Sequence, residues 1–443
     1  MTELLIKGVT LVTGGPASGS GTSGGASGAA LAPGGQDLLI KDGRYADPAD
    51  ASSNATVIDA DGLTAIPGLI DLHTHLREPG REDAETVETG TRAAARGGFV
   101  AVLAMANTDP VTDTAEAAGY IRTLGEKAGN ARVFPIGAVS KGLRGEELAE
   151  LGLMSRAGVT MFSDDGNCVA DARLMRRALE YVRSFDGVIA QHSQDPRLAG
   201  KDACCHEGEV SGRLGLTGWP AAAEATVIAR DAELTKLTGS RLHVCHVSTA
   251  ESVDVLRWAK RRGIAITAEV TPHHLVLTTA EVTGYDPTYK VNPPLRTAED
   301  VAALREALAD GTIDAVATDH APHARHDKEH AFGEAAFGMV GLETALGVVI
   351  ETMINTGAAD LDTVVQRTAI APARIARLGD DLGRPPAIGA VAQLTVIDPQ
   401  RRTVVDRDAS ASLSRNNPWH GRDLPDPIEL TVSSGRLSYH RGH

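Results

Sequence analysis

Two hydrophobic rhythms divide the chain. Between about residues 65 and 380, short apolar runs alternate with longer stretches rich in Ala, Leu, Arg and Glu. The runs 65–72, 100–104, 133–137, 160–163, 187–191, 241–246, 264–270 and 313–318 predict strands, and 84–96, 172–185, 222–238 and 252–262 predict helices between them. That alternation implies parallel βαβ units, and eight such strands point to a closed (β/α)8 TIM-type barrel. Both ends of the chain behave differently. The runs 4–12, 37–41 and 56–59, and then 393–398, 403–405 and 429–432, are short, β-prone and separated by Pro, Asp, Asn and Gly. They predict one small β-sandwich domain built from both termini, 1–64 and 385–443, around a barrel at 65–384. Residues 14–35 are Gly/Ser/Ala-rich and cannot bury enough surface to offset their ordering entropy, so a flexible insert is expected there.

Composition narrows the partners. Lys+Arg 43 against Asp+Glu 58 gives a net charge of −15, which argues against a nucleic-acid backbone as ligand. An acidic chain that handles an anionic substrate must concentrate positive charge locally, through metal ions or a few Arg and His side chains. No apolar stretch approaches the length of a membrane span, and the N-terminal residues do not read as a signal peptide. Four cysteines (Cys168, Cys204, Cys205 and Cys245) do not make a disulfide framework, and reduced thiols fit a cytoplasmic enzyme. Cys204-Cys205-His206 lacks a second ligand pair at zinc-finger spacing and reads as buried thiols beside a turn.

In barrel enzymes the chemistry gathers at the C-terminal ends of the strands. The first run ends Asp71-Leu72-His73-Thr74-His75, where positions i and i+2 share a face and can aim both imidazoles at one ion. Others end in Asp164-Asp165, in His192, in His243-Val244-Cys245-His246 and in Asp319. Of Asp164 and Asp165, only one can face inward while the other caps the turn. His246 lies nearer the mouth than His243 and is the better ligand. Each residue alone has a bland reading as a core histidine or a turn aspartate. Their recurrence at successive strand ends points instead to a centre for zinc or a similar divalent ion. A carboxylate between two pairs of imidazoles would make that centre binuclear, with a bridging hydroxide as nucleophile.

The segments PGLIDLHTHLREPG (67–80), MANTDP (105–110), KGLRGEEL (141–148), FSDDG (162–166), HEGEVS (206–211), EVTPHHL (269–275), KVNPPLR (290–296), ATDHAPH (317–323) and SRNNPWHG (414–421) together resemble the amidohydrolase superfamily, specifically its dihydroorotases of the long bacterial type. The resemblance implies that His73, His75 and Asp319 bind one zinc, that His192 and His246 bind a second, and that Asp165 lies between them where related enzymes often carry a carboxylated lysine. It implies reversible ring closure of N-carbamoyl-L-aspartate to dihydroorotate, with Asp319 as general acid and base. Arg77, Asn107 and His323 would meet the substrate carboxylate, and Asn292 with the Phe337-Gly338 backbone would contact the ring. A homo-oligomer and association with an aspartate carbamoyltransferase are further expectations. Rival readings are a hydantoinase or allantoinase, and a non-catalytic homologue acting as a structural partner of that transferase. Arg77 could instead pair with Glu78 or Glu82 on the surface, Asn107 could be a turn former, and 324–338 could be a lid or a plain exposed loop. Lys141 is read as structural and His274 as packing.

Overall fold

The computed structural model describes residues 3–15, 31–379 and 381–442. Most of the expected insert, 16–30, and the terminal His443 lie outside the described residues. Strands β1 (Leu4–Leu11), β2 (Gly34–Lys41), β3 (Arg44–Ala46), β4 (Thr56–Asp59) and β5 (Thr64–Pro67) precede the barrel. The barrel strands are β6 (Leu69–Thr74), β7 (Phe99–Ala104), β8 (Arg132–Pro135), β9 (Met161–Phe162), β10 (Val188–Gln191), β11 (Leu242–Val244), β12 (Ile266–Val270) and β13 (Ala315–Val316). After it come β14 (Leu394–Ile397), β15 (Ile428–Ser433) and β16 (Arg436–His440).

Strands from the two chain ends share one eight-stranded sheet, in the order β16-β15-β14-β5-β1-β2-β3 with β4 also on β1. A single residue explains how β1 serves several neighbours. Gly8 adopts φ +71°, and the register with β2 shifts between Ile6 and Val9. This bulge bends β1, so Leu4 to Lys7 pair with β4 and Thr10 and Leu11 pair with β5. The sheet is fastened to the barrel by side-chain hydroxyls: Thr395 Oγ1 donates to Gly98 O at 2.7 Å, and Thr431 Oγ1 donates to Ala95 O at 2.7 Å.

Hydrogen bonding groups the barrel strands as β6-β7-β8 and β9-β10-β11-β12-β13, all parallel. Two isolated parallel bridges, Gly137 with Phe162 and Thr74 with His320, join these arcs into a ring. Every residue of β6 and β7 is buried, as expected for parallel strands covered on both faces. The helix Val87–Arg96 follows β6. It starts at a Thr86/Thr89 capping box and turns Ala93 and Ala94 into the core.

The element boundaries differ from the sequence expectation at informative places. The run 65–72 is two strands, because Thr64–Pro67 pairs with β14 in the terminal sheet and the barrel begins only at Leu69. Gly68 sits at the switch, where a Cβ would meet Val100 Cγ1 at 2.3 Å. The run 241–246 leaves the sheet after Val244, since His246 has φ +32°, and 313–318 shortens to two residues ahead of Asp319 at φ +46°.

Candidate functional site

The strand ends converge on one buried cluster. Asp165, after β9, turns its two oxygens toward different histidines. Oδ2 lies 3.3 Å from His73 Nε2 and 3.4 Å from His75 Nε2, and Oδ1 lies 3.1 Å from His192 Nδ1 and 3.2 Å from His246 Nε2. Asp319 Oδ1 completes the first side, 3.1 Å from His75 Nε2 and 3.5 Å from His73 Nε2. Arg77, His246 and Asp319 all have left-handed backbones, at φ +61°, +32° and +46°. Such conformations cost roughly 1–3 kcal/mol each in a non-glycine residue and persist where the surroundings over-determine them. The adjacent Asp164 takes the other role: its carboxylate accepts from Val139 N at 2.8 Å, Ser140 N at 2.9 Å and the Ser140 hydroxyl.

Partners outside the cluster set the imidazole protons. Glu269 Oε1 accepts from His73 Nδ1 at 2.9 Å, Asn107 Oδ1 from His75 Nδ1 at 2.9 Å, and Gln194 Oε1 from His192 Nε2 at 2.7 Å. The opposite nitrogens therefore face the centre as bare lone pairs. His73 Nε2 is buried with no hydrogen-bond partner, and His192 Nδ1 faces His246 Nε2 at 2.9 Å. Two ring nitrogens in that opposition, beside a carboxylate, are what a cation between them would require. His73, His75 and Asp165 form one group of converging donor atoms, and Asp165, His192 and His246 form another, with donors within 4.8 Å in each. The donor set thus fits divalent ions, and the shared Asp165 fits a pair of them.

The electrostatics agree with an anionic donor set. Burial opposes ionisation of Asp165, yet the imidazoles of His73, His192 and His246 around it hold its carboxyl well below the usual range. Asp319 is lowered in the same way, chiefly by His73 and His75 against the burial cost. Cys245, in the same layer, is pushed up to about 12 by burial and stays a thiol.

Above the cluster is a cavity of about 280 Å³. Its lining includes Arg77, Asn107, Asn292, His323, Phe337 and Gly338 together with His75, Asp165, His192 and Asp319. Arg77 does not pair with Glu78 or Glu82. Its Nε donates to Pro322 O at 3.0 Å and its Nη2 lies 3.4 Å from His323 Nε2, while Glu78 and Glu82 accept from the backbone of Val87 and Gly80. Burial lowers Arg77 to about 10, so it remains a cation at neutral pH. His323 is pushed down to about 3 by burial and by Arg77, and is neutral. Its Nε2 donates to Phe337 O at 2.6 Å. Asn292 Nδ2 donates to Gln194 Oε1 at 3.2 Å, leaving Asn292 Oδ1 buried without a partner. Both backbone groups of Gly338 are engaged inside the protein, and a Cβ there would meet Ala321 Cβ at 2.7 Å and His323 Nε2 at 2.9 Å. Its place on the wall admits no larger residue.

Lys141 reaches Glu147 at 3.3 Å on the surface, and His274 is buried between Thr271 and Pro293. Cys204 and Cys205 are buried free thiols. Sequence reasoning did not single out Glu269, Gln194 or His273. A carboxylate within the β12 run was the available signal for Glu269, because a buried acid demands partners. His273 is fully enclosed, with burial lowering it to about 4.

Comparison with known proteins gives a consistent result. Residues 62–252 match the family model described as dihydro-orotase-like. A dihydroorotase of Streptomyces coelicolor is 57% identical over 91% of this chain and 95% of its own length. One of Mycobacterium tuberculosis is 49% identical over 92% and 95%. Among solved structures, the L-hydantoinase of Arthrobacter aurescens superposes with a TM-score of 0.84 at 25% identity, covering 100% of this chain and 97% of that one. The D-hydantoinase of a Thermus species gives 0.80 at 24%, a likeness of fold. The hydantoinases share the barrel, whereas sequence identity near one half across almost the whole chain is with the dihydroorotases. The chain belongs to the dihydroorotase family of metal-dependent cyclic amide hydrolases.

Proposed function

We propose that this protein interconverts N-carbamoyl-L-aspartate and (S)-dihydroorotate in pyrimidine biosynthesis, at the cavity above Asp165 and Asp319. The observation that carries the reading is the juxtaposition of Arg77 and the unpartnered Asn292 Oδ1 with the histidine–carboxylate cluster in one cavity. The substrate pairs a free carboxylate with a ring amide, and the cavity offers a planar cation for the first and a hydrogen-bond acceptor for an N–H of the second.

His73, His75 and Asp319 would hold one ion, His192 and His246 the other, and Asp165 both. Imidazole nitrogen and carboxylate oxygen, with Cys245 kept as a thiol, suit zinc. When bound, such ions lower the pKa of water toward neutrality and polarise a carbonyl. The protein groups supply the remainder. Arg77 and Asn107 orient the carboxylate, with neutral His323 beside them. Asp319 is held ionised, so it can take the proton of the attacking water and pass it to the departing ring nitrogen. In the cyclising direction the proton moves the other way. The bent β1, with β4 and β5 on one edge, supports reading the terminal sheet as a small sandwich flanking the barrel at 65–384. A cytoplasmic location, a homo-oligomer and docking with an aspartate carbamoyltransferase complete the reading. The described helices include none long and apolar enough to cross a membrane.

Assaying ring opening of dihydroorotate, hydantoin and allantoin side by side tests the substrate assignment. Preference for dihydroorotate supports it, and turnover of hydantoin or allantoin alone refutes it.

A further inference from the structure

Lys290 and Lys328 are only 3% and 9% exposed, and no carboxylate among the described residues lies within ion-pair distance of either. Buried ammonium groups without a counter-charge are costly, so their hydrogen bonds must justify them. All but one of those bonds go to one short segment, the exception being Lys328 Nζ to Lys290 O at 3.4 Å. Lys290 Nζ donates to Gly333 O at 2.9 Å and Ala335 O at 2.7 Å, and lies 4.2 Å from the centroid of the Phe337 ring. Lys328 Nζ donates to Ala336 O at 2.8 Å and Gly338 O at 3.1 Å. Gly338 N returns a bond to Lys290 O at 2.9 Å.

Phe337 and Gly338 at the end of this segment line the substrate cavity, and the Phe337 carbonyl accepts the hydrogen bond of His323 Nε2. Packing alone does not need two lysines here, since an apolar side chain of equal length would fill the space. Burial already pushes Lys328 down to about 7, with Lys290 adding repulsion and Asp286 and Asp327 only partly offsetting it. A loop held merely by packing would not retain such a pair.

We propose that Lys290 and Lys328 are positioning residues for the ring-opening reaction. They clamp the backbone of 333–338 from two sides, so that Phe337 keeps His323 beside Arg77 and Gly338 keeps the wall in place. The segment is thereby a fixed part of the cavity rather than a swinging lid. The inference rests on the proposed substrate cavity. Neither lysine touches substrate in this account, so the expected signature lies in binding rather than in the chemical step.

The test compares wild type with Lys290→Met and Lys328→Met. KM for dihydroorotate is expected to rise about tenfold or more in each, with kcat within about threefold and metal content unchanged. The double variant should fall short of the product of the two effects, because both act on one segment. Folded variants with wild-type KM, or with kcat reduced at unchanged KM, would overturn the proposal. Hydrogen exchange on the wild type provides a check that needs no variant: the Ala336 and Gly338 amides should exchange slowly, and rapid exchange there contradicts the clamp. A wild type inactive on dihydroorotate would refute the substrate assignment, whereas an active wild type matched by both variants would refute the clamp alone.

Discussion

Glu269 accepts the Nδ1 proton of His73 at 2.9 Å, and its other oxygen lies 3.0 Å from His243 Nε2. The carboxylate thus holds His73 in one orientation with Nε2 aimed at Asp165 and Asp319. Outer partners of this kind typically contribute 10–100-fold to metal affinity. Glu269→Ala is therefore expected to weaken the ion that His73 would hold by about 10–100-fold in chelator competition. Unchanged affinity would remove Glu269 from the support of the centre.

The same residue predicts a pH dependence in the metal-free protein. Burial opposes ionisation of Glu269, but the hydrogen bonds from His243 and His73 bring it down to about 2, from an ordinary 4.5. A carboxyl lowered by folding contributes stability above its unfolded value and loses that contribution as pH falls through its folded value. The stability difference between wild type and Glu269→Gln should be full above pH 4.5 and shrink toward pH 2. Urea titrations across that interval measure it, and a difference that grows on acidification would contradict the pairing.

Adjacent aspartates should fail in opposite ways. Asp164→Ala strands the Val139 and Ser140 donors in the interior, where unpaired groups cost about 1–3 kcal/mol each. It is expected to lower the thermal midpoint while the folded fraction keeps its metal. Asp165→Ala should keep most of the stability and lose metal, as read by elemental analysis of the purified protein.

Arg77→Met removes a cation that a substrate carboxylate would meet. Charge-assisted hydrogen bonds contribute about 1.5–3 kcal/mol, so KM for dihydroorotate should rise roughly 10- to 100-fold. Arg77→Lys should recover little, because a point charge cannot reproduce two parallel donors or reach Pro322 O. Wild-type KM in either variant would place the carboxylate elsewhere.

The residues brought together at the centre were legible because strand parity and strand ends are local properties: His73 and His75 share a face, and Asp164 and Asp165 cannot. His243 and His246 were separable for the same reason. What was not legible depended on neighbours far along the chain. Glu269 meets His73 from 196 residues away, and Lys290 meets Gly333 across a loop whose path no periodicity describes. The first strand was misjudged as 65–72 because both the terminal sheet and the barrel demand apolar residues there. Only the close approach of Gly68 to Val100 marks the change of sheet. Arg77 was recognisable as a cavity residue from its spacing to His75, but its left-handed backbone and its grip on Pro322 needed coordinates.

Dihydroorotate opening is assigned to the cavity above the residues that would hold two ions about Asp165, with Asp319 moving the proton. Dihydroorotate ring opening by wild type and Asp319→Ala, with metal content determined in the same samples, tests it most directly. Wild type is expected to be active with two ions per chain, and the variant to lose at least about 10³-fold in kcat/KM while remaining folded. Undiminished activity in Asp319→Ala, or a metal-loaded wild type that leaves dihydroorotate intact, would contradict the account.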